Sequence, residues 1–174
     1  MSDFRLTIND MSWVSDESDD PLDLCLHGQV TARIGQAVLV SNCTLSAAGI
    51  YLLRTIEEDH IPADPDQNAL YEPLLPCCGH EMYAGEDDSV ILYGCGNGNT
   101  WKVQHRDSSV ILTAEGYPSV IISSAEYRNE IYRFCDKIEA FYNACTPKQF
   151  TIHQGYEING YKALWKEWHR RRNA

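Results

Sequence analysis

The side chains of this chain best suited to chemistry are thiols and imidazoles, and they recur in a short pattern. Cys25-Leu26-His27 and Cys78-Gly79-His80 are both Cys-x-His, and Cys77 stands beside the second. Thiolate and neutral imidazole are the usual ligands of zinc, and four of them close a tetrahedral structural site. On a strand, the i, i+2 spacing sends Cys25 and His27 to one face, while Gly79 lets Cys78 and His80 converge. A zinc site built from Cys25, His27, Cys77, Cys78 and His80 is therefore one expectation. The Cys-x-x-Cys spacing of established zinc modules is absent, and buried thiols beside a surface histidine explain the same residues.

Other chemistries fit less well. A Cys–His nucleophile would pair Cys77 or Cys78 with His80, His105 or His60. A reactive thiolate needs positive surroundings, and residues 72–88 carry Glu72, Glu81, Glu86, Asp87 and Asp88 with no base but His80. Asp64-Pro65-Asp66-Gln67-Asn68 opens like a calcium loop, but Ala69 replaces the turn glycine and Leu75 the bidentate glutamate. Gly94-Cys95-Gly96-Asn97-Gly98 precedes a strand rather than a helix, so it reads as a hairpin turn and not a phosphate cradle. No reaction is specified by these motifs, and the balance of the sequence is against an enzyme.

Charge supplies the other expectation. Residues 1–90 hold 17 acidic side chains against 3 arginines, a net of −14, whereas residues 91–174 hold 8 against 11, a net of +3. Binding to a phosphate backbone relies on lysine and arginine displacing counterions, so nucleic acid is not an expected partner. Trp165, Trp168 and the run Arg170–Arg172 read as the docking face and C-terminal charge of a helix. The acids gather in three patches: Asp16, Glu17, Asp19 and Asp20; Glu57, Glu58, Asp59, Asp64 and Asp66; and Glu86, Asp87 and Asp88. They suit a basic protein partner, as in inhibitor or immunity-type proteins that mask positive sites, or they serve solubility alone. The first-ranked reading is this non-enzymatic, cofactor-free acidic interaction module, with the zinc or thiol site as the alternative.

These residues need a scaffold, and 174 residues fit one domain, 1–174, with a sizeable core. The first residues, Met1-Ser2-Asp3-Phe4-Arg5, show no basic or apolar signal region, and no apolar run approaches a membrane span. A cytoplasmic protein with reduced cysteines and no membrane contact is expected. Phe4, Leu6 and Ile8 alternate with polar residues as a strand does, and the same period runs from Leu22 to Ile34, with a bulge or bend expected at Gly28. Gly35 turns the chain into a short strand over 37–40. Thr44 caps an apolar-faced helix that ends in Glu57-Glu58-Asp59, a charge unfavourable at that end of the helix dipole, so a basic neighbour is expected there. Residues 60–76 form a proline-rich loop. A β-meander spans 89–123, with segments 89–95 and 101–105 joined as a hairpin. Ser123-Ser124-Ala125-Glu126 forms a capping box for a second helix, stopped by Pro147. A third helix carries Tyr161, Leu164, Trp165 and Trp168 on one face. The fold class is α+β: a mainly antiparallel sheet, from an N-terminal hairpin and a meander in the second half, packed on about three helices.

Overall fold

The computed structural model describes residues 3–14, 19–62, 73–78, 81–150 and 155–174. Among these residues it is an α+β structure of short antiparallel sheets and three helices, as the pattern predicts. Strands β1 (Phe4–Ile8), β2 (His27–Ile34) and β3 (Ala37–Thr44) form one sheet in that order. The β2–β3 turn needs Gly35, whose φ of 57° lies in the left-handed region open to glycine. Strand β2 is shorter than the alternation suggests. Leu24, Cys25 and Leu26 are all buried outside any strand, pinned by Tyr142, whose hydroxyl donates to Leu24 O (2.7 Å) and accepts from Leu26 N (3.2 Å). Gly28 is no bulge either. It pairs in register with Cys43, and a Cβ there would stand 2.3 Å from the carbonyl oxygen of Asp10.

Helix α1 (Leu45–Arg54) follows β3 directly; Thr44 occupies its N-cap without a side-chain hydrogen bond. Strand β4 (Leu75–Pro76) pairs with β7 (Gly98–Asn99), and β5 (Glu81–Ala84) pairs with β6 (Val90–Tyr93). This corrects the expected hairpin between 89–95 and 101–105. The partner of β6 is β5, a four-residue strand, Glu81-Met82-Tyr83-Ala84, too short and mixed to give a strand signal. Strands β8 (Lys102–Arg106), β9 (Ser109–Thr113) and β10 (Val120–Ser123) form a three-stranded meander of their own, shorter than the expected 89–123. Ser123 then caps α2 (Ser124–Ala144) with the full capping box, its side chain accepting from Glu126 N. Helix α3 (Gly155–Arg172) closes the chain.

One buried cluster runs from Phe4 on β1 through Trp101 and Phe134 to Trp168 on α3. Gly49 is the contact point of α1 and α3: a Cβ there would meet the Trp168 ring at 2.2 Å. The inner face of the β5–β6 hairpin, Met82, Val90 and Leu92, is buried, and α3 lies against it so closely that a Cβ at Gly160 would be 2.0 Å from Met82 O. No helix among the described residues is long and apolar enough to cross a membrane.

Candidate functional site: a surface cluster of three thiols

Two chain segments bring thiols together at one end of the small sheets. Cys77 and Cys78 follow β4, and Cys95 follows β6 by two residues. The β4–β7 pair fastens them, because Cys77 N donates to Asn97 O at 2.8 Å, continuing the ladder. Gly98 makes this pairing fit: its φ is 150°, and any Cβ would lie 2.2 Å from Leu75 O. Pro76 at this ladder has no N–H to lose.

The three sulfurs lie within 4.8 Å of one another. Cys77 Sγ stands 2.7 Å from Cys95 Sγ and 3.7 Å from Cys78 Sγ, and the backbone N–H of Cys95 donates to Cys78 Sγ at 3.0 Å. Cys77 and Cys95 are exposed and Cys78 is half-buried. The contact splits the thiols electrically. Hydrogen bonding from Cys77, then from Cys78 and the Asn97 backbone, lowers Cys95 to about 7; the same bond to Cys95 pushes Cys77 up to about 12. The contact thus favours the thiolate at Cys95 and disfavours it at Cys77.

The remaining cysteines are of another kind. Burial, with the charges of Asp23 and Glu157, pushes Cys25 up to about 12; burial and Asp10 do the same to Cys43. Burial holds Cys135 well above the ordinary thiol range, and Cys145 is raised as well. Cys25 therefore sits in the core, away from the cluster. His27, at the start of β2, lines an open groove of about 240 Å³ together with Asp10, Asn42, Cys43 and Cys77, so the histidine of the first Cys-x-His pair and the cysteine beside the second border the same space. His80 lies outside the described residues. His60 and His105 belong elsewhere: His60 bonds Thr100 Oγ1 at 2.8 Å, and His105 Nε2 donates to Thr55 O at 3.0 Å. Among the described residues neither histidine hydrogen-bonds a thiol as a base would.

Comparison with protein-family models, with curated proteins and with solved structures finds no match.

The acidic candidates are largely engaged within the molecule. Helix α1 ends at Arg54, before the expected Glu57-Glu58-Asp59 terminus, and Arg171 pairs with Glu57 (3.1 Å) and Glu58 (2.9 Å) in the turn that follows. Asp59 accepts from His105 N, and Asp88 pairs with Lys166. Asp19 accepts from Thr146 N, which lowers its carboxyl, and Asp20 accepts from Leu22 N. Glu86 and Asp87 are exposed in the β5–β6 turn and form no ion pair among the described residues. Asp16, Glu17, Asp64 and Asp66 lie outside the described residues.

Sequence reasoning missed Cys95. It stands in a glycine-rich turn between Gly94 and Gly96, and the turn reading absorbed it. The available signal was environmental: a cysteine flanked by glycines has no apolar neighbours to bury it, unlike Cys135 on the apolar stripe of α2.

Proposed function

We propose that this protein binds a zinc ion through Cys77, Cys78 and Cys95, as a structural thiolate centre. The observation that carries the reading is the convergence of three sulfurs from two separate segments at the surface, where thiols have no apolar packing to explain them. Zinc–sulfur bonds of about 2.3 Å in a tetrahedron put neighbouring sulfurs about 3.8 Å apart. The 3.7 Å between Cys77 and Cys78 already suits that edge, and Cys95 has to move outward from Cys77 by about 1 Å. A sulfur near 7 in this cluster deprotonates readily for a cation, and the Cys95 N–H aimed at Cys78 Sγ favours the thiolate there. Three thiolates leave one tetrahedral position for a further donor. The ion would tie the β4–β7 segment to the end of β6, so its work is to hold the small sheets together.

The test is native mass spectrometry and metal analysis of protein purified without chelator. About one zinc per chain is expected, with a melting temperature that falls on chelation. Cys95→Ser removes the ion or weakens its binding at least about tenfold, while Cys145→Ser, at a thiol outside the cluster, retains it. Protein that takes up no zinc, or a Cys95→Ser variant that binds as the parent does, overturns the reading.

A further inference from the structure

The β5–β6 hairpin has one face on α3 and another turned outward. Alternation sends Met82, Val90 and Leu92 inward, and it sends Glu81, Tyr83, Ile91 and Tyr93 outward. In the register, Glu81 faces Tyr93 and Tyr83 faces Ile91, so the four side chains form one square. Tyr93 is 50% exposed and Ile91 43%, a large apolar surface for four neighbouring residues. The tyrosine rings stand nearly perpendicular, 81° apart with centroids 5.6 Å from each other, and the Tyr83 hydroxyl donates to Glu81 Oε2 at 3.1 Å. The four residues line an open concavity of about 380 Å³.

Two perpendicular aromatic rings beside a carboxylate form a corner that attracts a cation. The ring faces carry negative potential, and the carboxylate adds a full charge. The surroundings have the same sign. Glu81, Glu86 and Asp87 form no ion pair among the described residues, and Lys166 is taken by Asp88. We infer that the outer face of the β5–β6 hairpin, Glu81, Tyr83, Ile91 and Tyr93, is the docking surface for a basic protein partner, whose arginine or lysine side chain enters the tyrosine corner while its aliphatic stem lies on Ile91. Tyrosine gives large contact area at small entropic cost, and the acidic half of the chain steers the partner toward it. The surface borders the acidic turn of Glu86, Asp87 and Asp88 and adds the aromatic corner to it, whereas Glu57 and Glu58 are paired within the molecule.

A short Arg-Gly-Ser peptide and a Glu-Gly-Ser counterpart, titrated at low salt with two-dimensional NMR detection, test the inference. The arginine peptide is expected to bind, to shift Tyr83, Ile91 and Tyr93, and to weaken as salt rises; the glutamate peptide is not. Replacing both rings, Tyr83→Leu with Tyr93→Leu, keeps apolar bulk but removes the aromatic faces, and it weakens binding about tenfold. Glu81→Gln weakens it severalfold, and Glu115→Gln, at an exposed acid on another turn, leaves it unchanged. Failure of the arginine peptide to bind, equal binding by the double leucine variant, or an equal loss from Glu115→Gln each overturns the assignment. The last result would show that a diffuse field, and not the corner, holds the peptide. Backbone shifts confirm that each variant is folded.

Discussion

At the scale of single residues, the seven thiols divide by solvent and neighbours. Cys25, Cys43 and Cys135 are enclosed, and enclosure disfavours the thiolate, so they stay protonated and inert. Cys95 is exposed, and its bond from Cys77 holds it at about 7. Its thiolate fraction therefore grows as pH rises toward 7 and levels off above it. Alkylation of metal-free protein, followed by peptide mass mapping, should label Cys95 first. The rate should rise about tenfold per pH unit below 7 and flatten beyond. Cys77→Ala removes the donor and should move that inflection upward, toward an ordinary thiol. An inflection that stays in place would mean that Cys77 does not set it. Cys25 and Cys135 should remain unlabelled until the protein is unfolded.

At the scale of elements, two glycines decide how α3 seats. Gly160 lets its backbone touch β5 at Met82, and Gly49 lets α1 accept the Trp168 ring. Gly160→Ala drives a methyl into a carbonyl that cannot yield, and a loss of about 2 kcal/mol or more in denaturant unfolding is expected, as in overpacked cores. Gly116→Ala, where no atom lies within 4 Å, should cost only the strain of its φ of 77°. An equal loss at both sites would contradict the close-contact argument. These contacts also show what pattern could and could not reveal. The helices were legible because α2 has a capping box at Ser123 and Glu126 and an apolar stripe through Ile131, Phe134, Cys135 and Ile138. The pairing of β6 with β5 was not, because Glu81-Met82-Tyr83-Ala84 is too short and mixed to show a period, and its inward residues meet a helix distant in sequence. The thiol site suffered from the same gap. Cys77 and Cys78 were visible as candidates, but Cys95 joins them through the β4–β7 ladder, a two-residue pairing that no local periodicity announces.

At the scale of the whole molecule, the charge asymmetry between the two halves is partly an internal seam. Glu167 on α3 is fully buried and binds Arg54 at 2.8 and 2.9 Å, Arg171 at 2.9 Å and the Val90 N–H at 2.8 Å. One carboxylate thus joins α1, α3 and β6, while Arg171 reaches on to Glu57 and Glu58. Burial alone would raise Glu167. The hydrogen bonds from Arg54 and Val90, and the Arg54 charge, outweigh it and leave the group below its ordinary range. A depressed carboxylate contributes stability that is present above its unfolded pKa and is lost as pH falls through the folded one. Stability should therefore decline from about pH 4 downward. Glu167→Gln should cost about 3 kcal/mol at neutral pH, by leaving two guanidinium groups without their shared anion, and should flatten the acid limb of the pH–stability curve. Denaturant titrations across pH check both, and an unchanged acid limb would place the acid sensitivity elsewhere.

The seat of α3 on the hairpin also sets an order of events. Strands β5 and β6 leave the ribosome well before the helix that covers them, so Met82, Val90 and Leu92 stay wet until Gly160 comes to rest on β5. Until that moment the tyrosine corner lacks the helix behind it, and β6 is held only by its ladder to β5. The tyrosine corner thus gains its backing only once α3 has packed on the hairpin, a contact between segments far apart in the chain.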